Sequence, residues 1–330
     1  MNRLDFLKSA GAFLTSALLN PFPKRSFSKM KQLTADAVIV GGSYAGLSAA
    51  MVLGRSLRRV VIIDSGLPCN RQTPHSHNLI TQDGATPSQI TASAKAQVLA
   101  YPTVSLQNGA VVSVTGSANS FTVHTAAGQT IQAKKVLFAT GVRDLLPAIP
   151  GFAECWGISV IHCPYCHGYE YRDQPTGILV NGPTAVDFGK LIRNWTKELT
   201  VFTNGEPQFS AEQQQQLAAL SIGLETRKIE AIVHKRGVIQ HLLFTDGSQH
   251  ALNALYARVP FEQHCPVPQA LHCTMTETGH VSIDAFQRTS VPGVYAAGDN
   301  SALLRSVANS IGAGNIAGNI MNHDLINEEV

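Results

Sequence analysis

The chain has 330 residues, with 25 Lys and Arg against 22 Asp and Glu, and a formal net charge of +3 at neutral pH. This length supports roughly two domains, each able to bury a core. No block of Lys and Arg interleaves with aromatic residues, which excludes a nucleic-acid groove, and six cysteines are too few for a disulfide scaffold.

The first 29 residues read apart from the rest. Asn2-Arg3-Leu4-Asp5-Phe6-Leu7-Lys8 precedes an apolar run from Ser9 to Leu19, followed by Pro21, Pro23, Lys24 and Arg25. That is the anatomy of an export signal. Arg3, Asp5, Phe6, Leu7 and Lys8 resemble the twin-arginine signal, with Leu4 in the place of the second arginine. The apolar run is about half of the ~20 residues that cross a bilayer, so no stable membrane span is expected. Export, to the periplasm or beyond, is the reading. Translation from Met30 is the alternative, and leaves the protein in the cytoplasm.

The folded pattern begins with the strand Ala37-Val38-Ile39-Val40, the turn Gly41-Gly42-Ser43-Tyr44-Ala45-Gly46, a helix from Leu47 to Leu57 and the strand Val60 to Ile63, ending in Asp64. In such a turn the first glycine permits tight geometry, the second admits pyrophosphate and the third lets helix and strand approach. Gly41 and Gly46 fill the first and third places, Ser43 the second, and Asp64 stands 23 residues beyond Gly41, where an acid accepts from ribose hydroxyls. Val111 to Val114 and Phe121 to Thr125 alternate as a small antiparallel element, and Val136 to Gly141 reads as a buried strand ending in glycine.

Next comes Cys163-Pro164-Tyr165-Cys166-His167. A thiolate is the reactive form of cysteine, and a two-residue spacing at a helix start offers it backbone donors, the helix dipole and a resolving partner. His167 is apt as an acid-base partner, with His162 as a weaker candidate. The same letters also spell a c-type haem attachment signature, and His162, Cys163, Cys166 and His167 together offer zinc ligands. The position between two nucleotide-binding patterns favours a redox pair with no metal. Cys69, Cys155, Cys265 and Cys273 are scattered and read as buried small hydrophobes.

A second strand-turn-helix-strand unit starts at Gly177, with the turn Val180-Asn181-Gly182-Pro183-Thr184-Ala185, a helix from Ala185 to Trp195 and the strand Leu199 to Phe202. Its turn lacks the first glycine. Thr203-Asn204-Gly205-Glu206-Pro207 then supplies neither an arginine for a phosphate nor an acid at the strand end for a ribose. Nicotinamide-nucleotide binding is therefore expected to be weak or absent. Val294 to Asp299 gives a last buried strand, and Ser301 to Leu325 a closing helix whose Gly312-Ala313-Gly314 patch permits close packing.

The glycine turn, Ala139-Thr140-Gly141 and Ser290 to Asp299 together resemble the two-domain flavin disulfide reductases, especially the small thioredoxin reductases, over residues 36 to 325. The resemblance implies an α/β fold of two three-layer Rossmann-like domains. The FAD domain is discontinuous, residues 33–148 and 261–330, and an NAD(P)-binding-like domain at 149–260 carries the cysteine pair. It implies FAD held by Gly41, Ser43, Ala45, Gly46, Asp64, Gly141, Gly298 and Asp299, by the helix start at Arg305-Ser306-Val307, and lined by Asn78 and the two histidines of His75-Ser76-His77-Asn78. Cys166 is then expected to face the flavin and Cys163 the substrate, a small dithiol or a thioredoxin-like protein, in a homodimer. Cys163 to Glu170 further resembles the gliotoxin and holomycin dithiol oxidases of the same superfamily.

Overall fold

The computed structural model describes residues 33–329, so the signal-like segment at 1–29 and Met30 lie outside the described residues. The first sheet starts with β1 (Leu33–Val40), followed by the helix α1 (Tyr44–Arg55) and the parallel strand β2 (Val60–Asp64). A second helix, α2 (Pro87–Leu99), begins with a capping box in which Thr86 and Gln89 satisfy each other's backbone N–H groups. After it come β3 (Val104–Asn108) and the antiparallel meander β4 (Val111–Ser117), β5 (Ser120–Thr125) and β6 (Thr130–Phe138). The short strand β7 (Val142–Asp144) leaves this sheet.

The near-continuous apolar runs of β1 and β2 follow from burial on both faces. Val38, Val40, Val61 and Ile63 point to one side with Val136 and Phe138, whereas Ala37, Ile39, Ile62 and Leu137 point to the other, against Leu47 and Leu53 of α1.

The short helix α3 (Phe152–Cys155), β8 (Val160–Ile161) and the single turn α4 (Pro164–His167) lead into the second unit. It continues through β9 (Thr176–Leu179), α5 (Ala185–Ile192), β10 (Leu199–Phe202), α6 (Ala211–Ala219) and β11 (Gly223–Glu225). An antiparallel trio, β12 (Ile229–Lys235), β13 (Val238–Phe244) and β14 (Gln249–Ala251), precedes β15 (Ala254–Ala257). The second sheet has the order β11-β10-β9-β15-β8 and is parallel throughout. Ile178, Val201 and Tyr256 of this sheet pack with Phe188 and Ile192 of α5. The helix read from Ala185 to Trp195 ends at Ile192, and Trp195 turns back from it.

The chain returns through β16 (Phe261–Gln263), which pairs with β7, and the turn α7 (Val267–Ala270). The strand β17 (Val294–Ala296) then joins β6 as the seventh strand of the first sheet, whose other six run β3-β2-β1-β6-β5-β4. The closing helix α8 (Val307–Glu328) starts six residues later than Ser301, because the Ser306 side chain caps it by accepting from the Asn309 N–H. Of the two glycines in the expected small-residue patch, Gly314 packs closely, since a side chain there would overlap the Ala45 backbone, while Gly312 faces open space. No helix among the described residues is long and apolar enough to cross a membrane.

Candidate active site

A cavity of about 980 Å³ opens at the carboxyl ends of the first sheet's strands, where open α/β sheets place their ligands. Gly41, Ser43, Ala45, Asp64, Gly141, Gly298, Asp299, Ser306 and Val307 all line it. Gly41 has φ +106°, and a side chain there would overlap the Ala139 carbonyl oxygen. Gly46 lies behind the cavity wall, where a side chain would overlap the Gly41 carbonyl, so it serves the close approach of helix and strand. Asn78 is not brought to the cavity. Its backbone takes φ +58° in an exposed turn and its N–H donates to Asp83 Oδ1 at 2.8 Å.

The residues present fit FAD. The Ser43 N-cap makes no side-chain capping bond, which leaves the first turn of α1 open to a pyrophosphate. Asp64 accepts from the Gly42 N–H at 3.1 Å and from Lys95 Nζ at 3.4 Å, so it is fixed toward the cavity. Thr140 Oγ1 is buried in the cavity wall with no partner of its own. A buried hydroxyl in that state asks for a ligand's polar atom. Burial raises the Asp299 pKa, against the pull of Arg305 and of the Ser310 hydroxyl, which donates at 3.3 Å. The carboxyl therefore stands ready for a further donor.

At the other end of the cavity Cys163 and Cys166 are joined as a disulfide, their Cα atoms 5.3 Å apart. Cys166 and His167 line the cavity and Cys163 does not, so the two sulfurs have different surroundings. The helix they start is only one turn, with Pro164 at its first position, so its dipole is small. Tyr165, between the cysteines, is largely exposed and meets Trp195 edge to face at 5.6 Å. Among the described residues no group of three or more His, Cys, Asp or Glu is placed to hold a metal ion.

Both histidines beside the pair are neutral at pH 7. Burial, then the charge of His77, pushes His167 down to about 4, and neither ring nitrogen has a hydrogen-bond partner. His162, stacked on Trp156 at 5.9 Å, is pushed down to about 4 by burial and then by Arg305. The sequence suggested a group poised at neutrality. Enclosure instead makes His167 a base that stays unprotonated through the physiological range.

A stability consequence follows. The folded pKa values lie below the unfolded 6.5, so the unfolded chain binds these protons first as pH falls. Stability is fully present above about 6.5 and is lost toward about 4, on the order of 1–3 kcal/mol for each ring. Urea midpoints at about pH 7 and about pH 4.5 measure the loss, and a His162→Phe/His167→Leu double variant is expected to show a smaller one. Equal losses in both proteins would contradict this assignment.

Several neighbours escaped sequence reading. Arg305 forms two hydrogen bonds to Asp144, at 2.7 and 3.1 Å, and lies 3.5 Å from Asp299, all three side chains being mostly buried. Trp156 Nε1 donates to the same Asp144 at 3.3 Å. Cys155, Cys265 and Cys273 are buried as expected, but Cys69 opens into the cavity 3.8 Å from Asp299 Oδ2. Enclosure by the protein, then Asp299, pushes its thiol up to about 11. No local signal marks it, because its neighbours come from distant segments.

The second turn is closed by its own side chain. Asn181 Nδ2 donates to the Glu206 carbonyl at 2.8 Å, and Asn181 Oδ1 accepts from the Gln208 N–H at 2.6 Å. Pro183 brings no N–H to the start of α5, and the Ala185 N–H is already bonded to the Gly182 carbonyl. Asn204, after β10, is occupied in accepting from the Ile229 N–H at 2.8 Å.

The family model for pyridine nucleotide-disulphide oxidoreductase matches residues 35–314. Thioredoxin reductase tcpT of Claviceps purpurea is 33% identical over 304 residues, covering 88% of this chain and 94% of that one. Thioredoxin reductase sirT of Leptosphaeria maculans is 31% identical, covering 89% and 95%. Among solved structures, an oxidoreductase from Agrobacterium tumefaciens is 34% identical with a TM-score of 0.83, covering 89% of this chain and 99% of that one. A glycine-turn cavity with a cysteine pair at its far end, in a chain matched along nearly its whole length, places this protein in the pyridine nucleotide-disulphide oxidoreductase family as a thioredoxin-reductase-like, FAD-dependent enzyme.

Proposed function

We propose that this enzyme oxidises dithiols to disulfides, with electrons entering through Cys163–Cys166 and leaving through FAD to dioxygen or another non-nicotinamide acceptor. The observation that carries this reading is the second turn, where Asn181 is tied to the 206–208 loop and Pro183 removes a donor from the start of α5. A nicotinamide pyrophosphate would have to displace those bonds and would find no arginine in the Thr203–Pro207 loop that follows β10. Without that donor, the reducing equivalents come from the thiol substrate.

In this scheme Cys163 takes part in exchange with the substrate dithiol. One substrate sulfur attacks the Cys163–Cys166 bond, the second releases the substrate as a disulfide, and both protein sulfurs end as thiols. His167, neutral and beside Cys166, removes the thiol proton so that a thiolate faces the cavity. Gly41, Ser43 and Ala45 would hold the pyrophosphate of FAD, Asp64 its ribose and Asp299 its ribityl chain. When bound, FAD accepts an electron pair from a thiolate beside it and passes the pair to a second acceptor.

Anaerobic titration tests the direction of flow. A dithiol is expected to bleach the flavin's visible band, while NADPH and NADH at equal concentration leave it. Bleaching by NADPH would instead establish a nicotinamide-dependent reductase, the reading that the names of the fungal relatives favour. Small dithiols and thioredoxin-like proteins both belong to the proposed substrate class. Export belongs to the same proposal, since a protein outside the cytoplasm does not meet NADPH, and cell fractionation checks it.

A further inference from the structure

The disulfide chemistry leaves one proton unassigned. When the reduced pair re-forms its S–S bond it gives up two electrons and two protons, whereas a flavin taking the electron pair binds one proton. The second proton must reach water from an enclosed site. His167 receives it first, but both of its ring nitrogens are buried and neither has a hydrogen-bond partner through which to release it.

The His77 side chain is 22% exposed, so it reaches water. It lines the same cavity as His167, and a positive charge on His77 disfavours one on His167. On its other side His77 Nε2 lies 3.5 Å from Glu170 Oε1, and Nδ1 lies 3.6 Å from Asp83 Oδ1. Asp83 is 68% exposed and Glu170 36% exposed, so both carboxylates reach solvent. The remaining titratable neighbour is His75, whose ring centre is 6.5 Å away and whose Nδ1 is engaged with the Gly84 carbonyl at 2.9 Å.

The loop is built to hold His77 there. The Ser76 N–H donates to the Ala85 carbonyl, the Gly84 N–H donates to the Ser76 carbonyl, and the Asn78 N–H donates to Asp83. Glu170 comes from the other side, at the end of the segment that begins with Cys163. A ring between two solvent-facing carboxylates and a buried base has a donor on one side and acceptors on the other.

We propose that His77 is the second station of a proton path running from the Cys163–Cys166 pair through His167 to Glu170 and Asp83 at the surface. It is a positioning residue acting through His167, and the inference rests on the proposed passage of electrons from the pair to FAD.

The test uses the full FAD-loaded protein, reduced anaerobically by dithiothreitol while flavin bleaching is followed. His77→Gln is expected to slow bleaching by roughly tenfold, toward the low end of what direct acid-base groups contribute. Added imidazole is expected to restore the rate in proportion to its concentration, which a purely structural histidine would not allow. Glu170→Gln, at the surface, is expected to slow it severalfold with the same rescue, and it carries the test if His77→Gln fails to hold FAD. An unchanged rate, or a slow rate that imidazole does not restore, overturns the path.

A second readout is independent of turnover. Ring NMR signals of His167 and His77 are expected to move together when the pair is reduced, and a silent His77 also overturns the proposal. If NADPH rather than dithiothreitol bleaches the wild type, the proposed function fails. The path is then judged by the same variants and the same rescue on the appearance of thiols at the pair.

Discussion

Cys166→Ser is expected to fold, hold FAD and react with the disulfide form of its substrate, yet lose turnover by roughly a thousandfold or more, the scale of removing an essential nucleophile. The two sulfurs divide the work by position. Cys166 lines the cavity beside His167, and Cys163 lies outside it at the extended residue before α4. In Cys166→Ser, the Cys163 thiolate attacks the substrate disulfide, breaking its S–S bond and releasing one substrate thiolate, but no neighbouring thiol resolves the product. A mixed disulfide between Cys163 and the substrate should accumulate, detectable as an intact-mass increase that a reductant removes. Cys163→Ser should lose turnover to a similar degree without any such adduct. An adduct in the second variant and none in the first would reverse the assignment of the two sulfurs.

Much of this was legible because the signals are local. The apolar runs before Gly41 and Asp64 announce strands buried on both faces, and the glycines between them announce a turn that a side chain would obstruct. The pair at Cys163 and Cys166 is legible by spacing alone. Asn78 misleads for the same reason, since it borders residues that do line the cavity while its own backbone turns outward into the left-handed region. The pKa of His167 could not be read, because it is set by enclosure rather than by its neighbours in sequence. Cys69 approaches Asp299 across 230 positions, and Arg305 meets Asp144 across 161. No window of sequence contains such pairs.

That last contact carries the second large effect. Arg305→Met is expected to destabilise the protein by about 3–5 kcal/mol, the cost of leaving a buried charge without its partner. Burial works against the Arg305 charge, and the bonds to Asp144 more than offset it. Without the guanidinium, Asp144 keeps only the weak donor Trp156 Nε1, at 3.3 Å. Asp299, already raised by burial, loses its nearest positive charge and rises further. FAD affinity should therefore fall together with the urea midpoint. Arg305→Lys is expected to recover only part of the loss, because an ammonium cannot present two parallel donors to Asp144 while also facing Asp299. Removing both members of the closer pair, in Arg305→Met/Asp144→Leu, should restore most of the stability, since apolar groups of similar volume replace a buried ion pair at little net cost. The FAD affinity should stay low in the double variant, because Asp299 still lacks its arginine. If it returned with the stability, Arg305 would matter to the fold alone, and Asp299 would not depend on it for holding the cofactor.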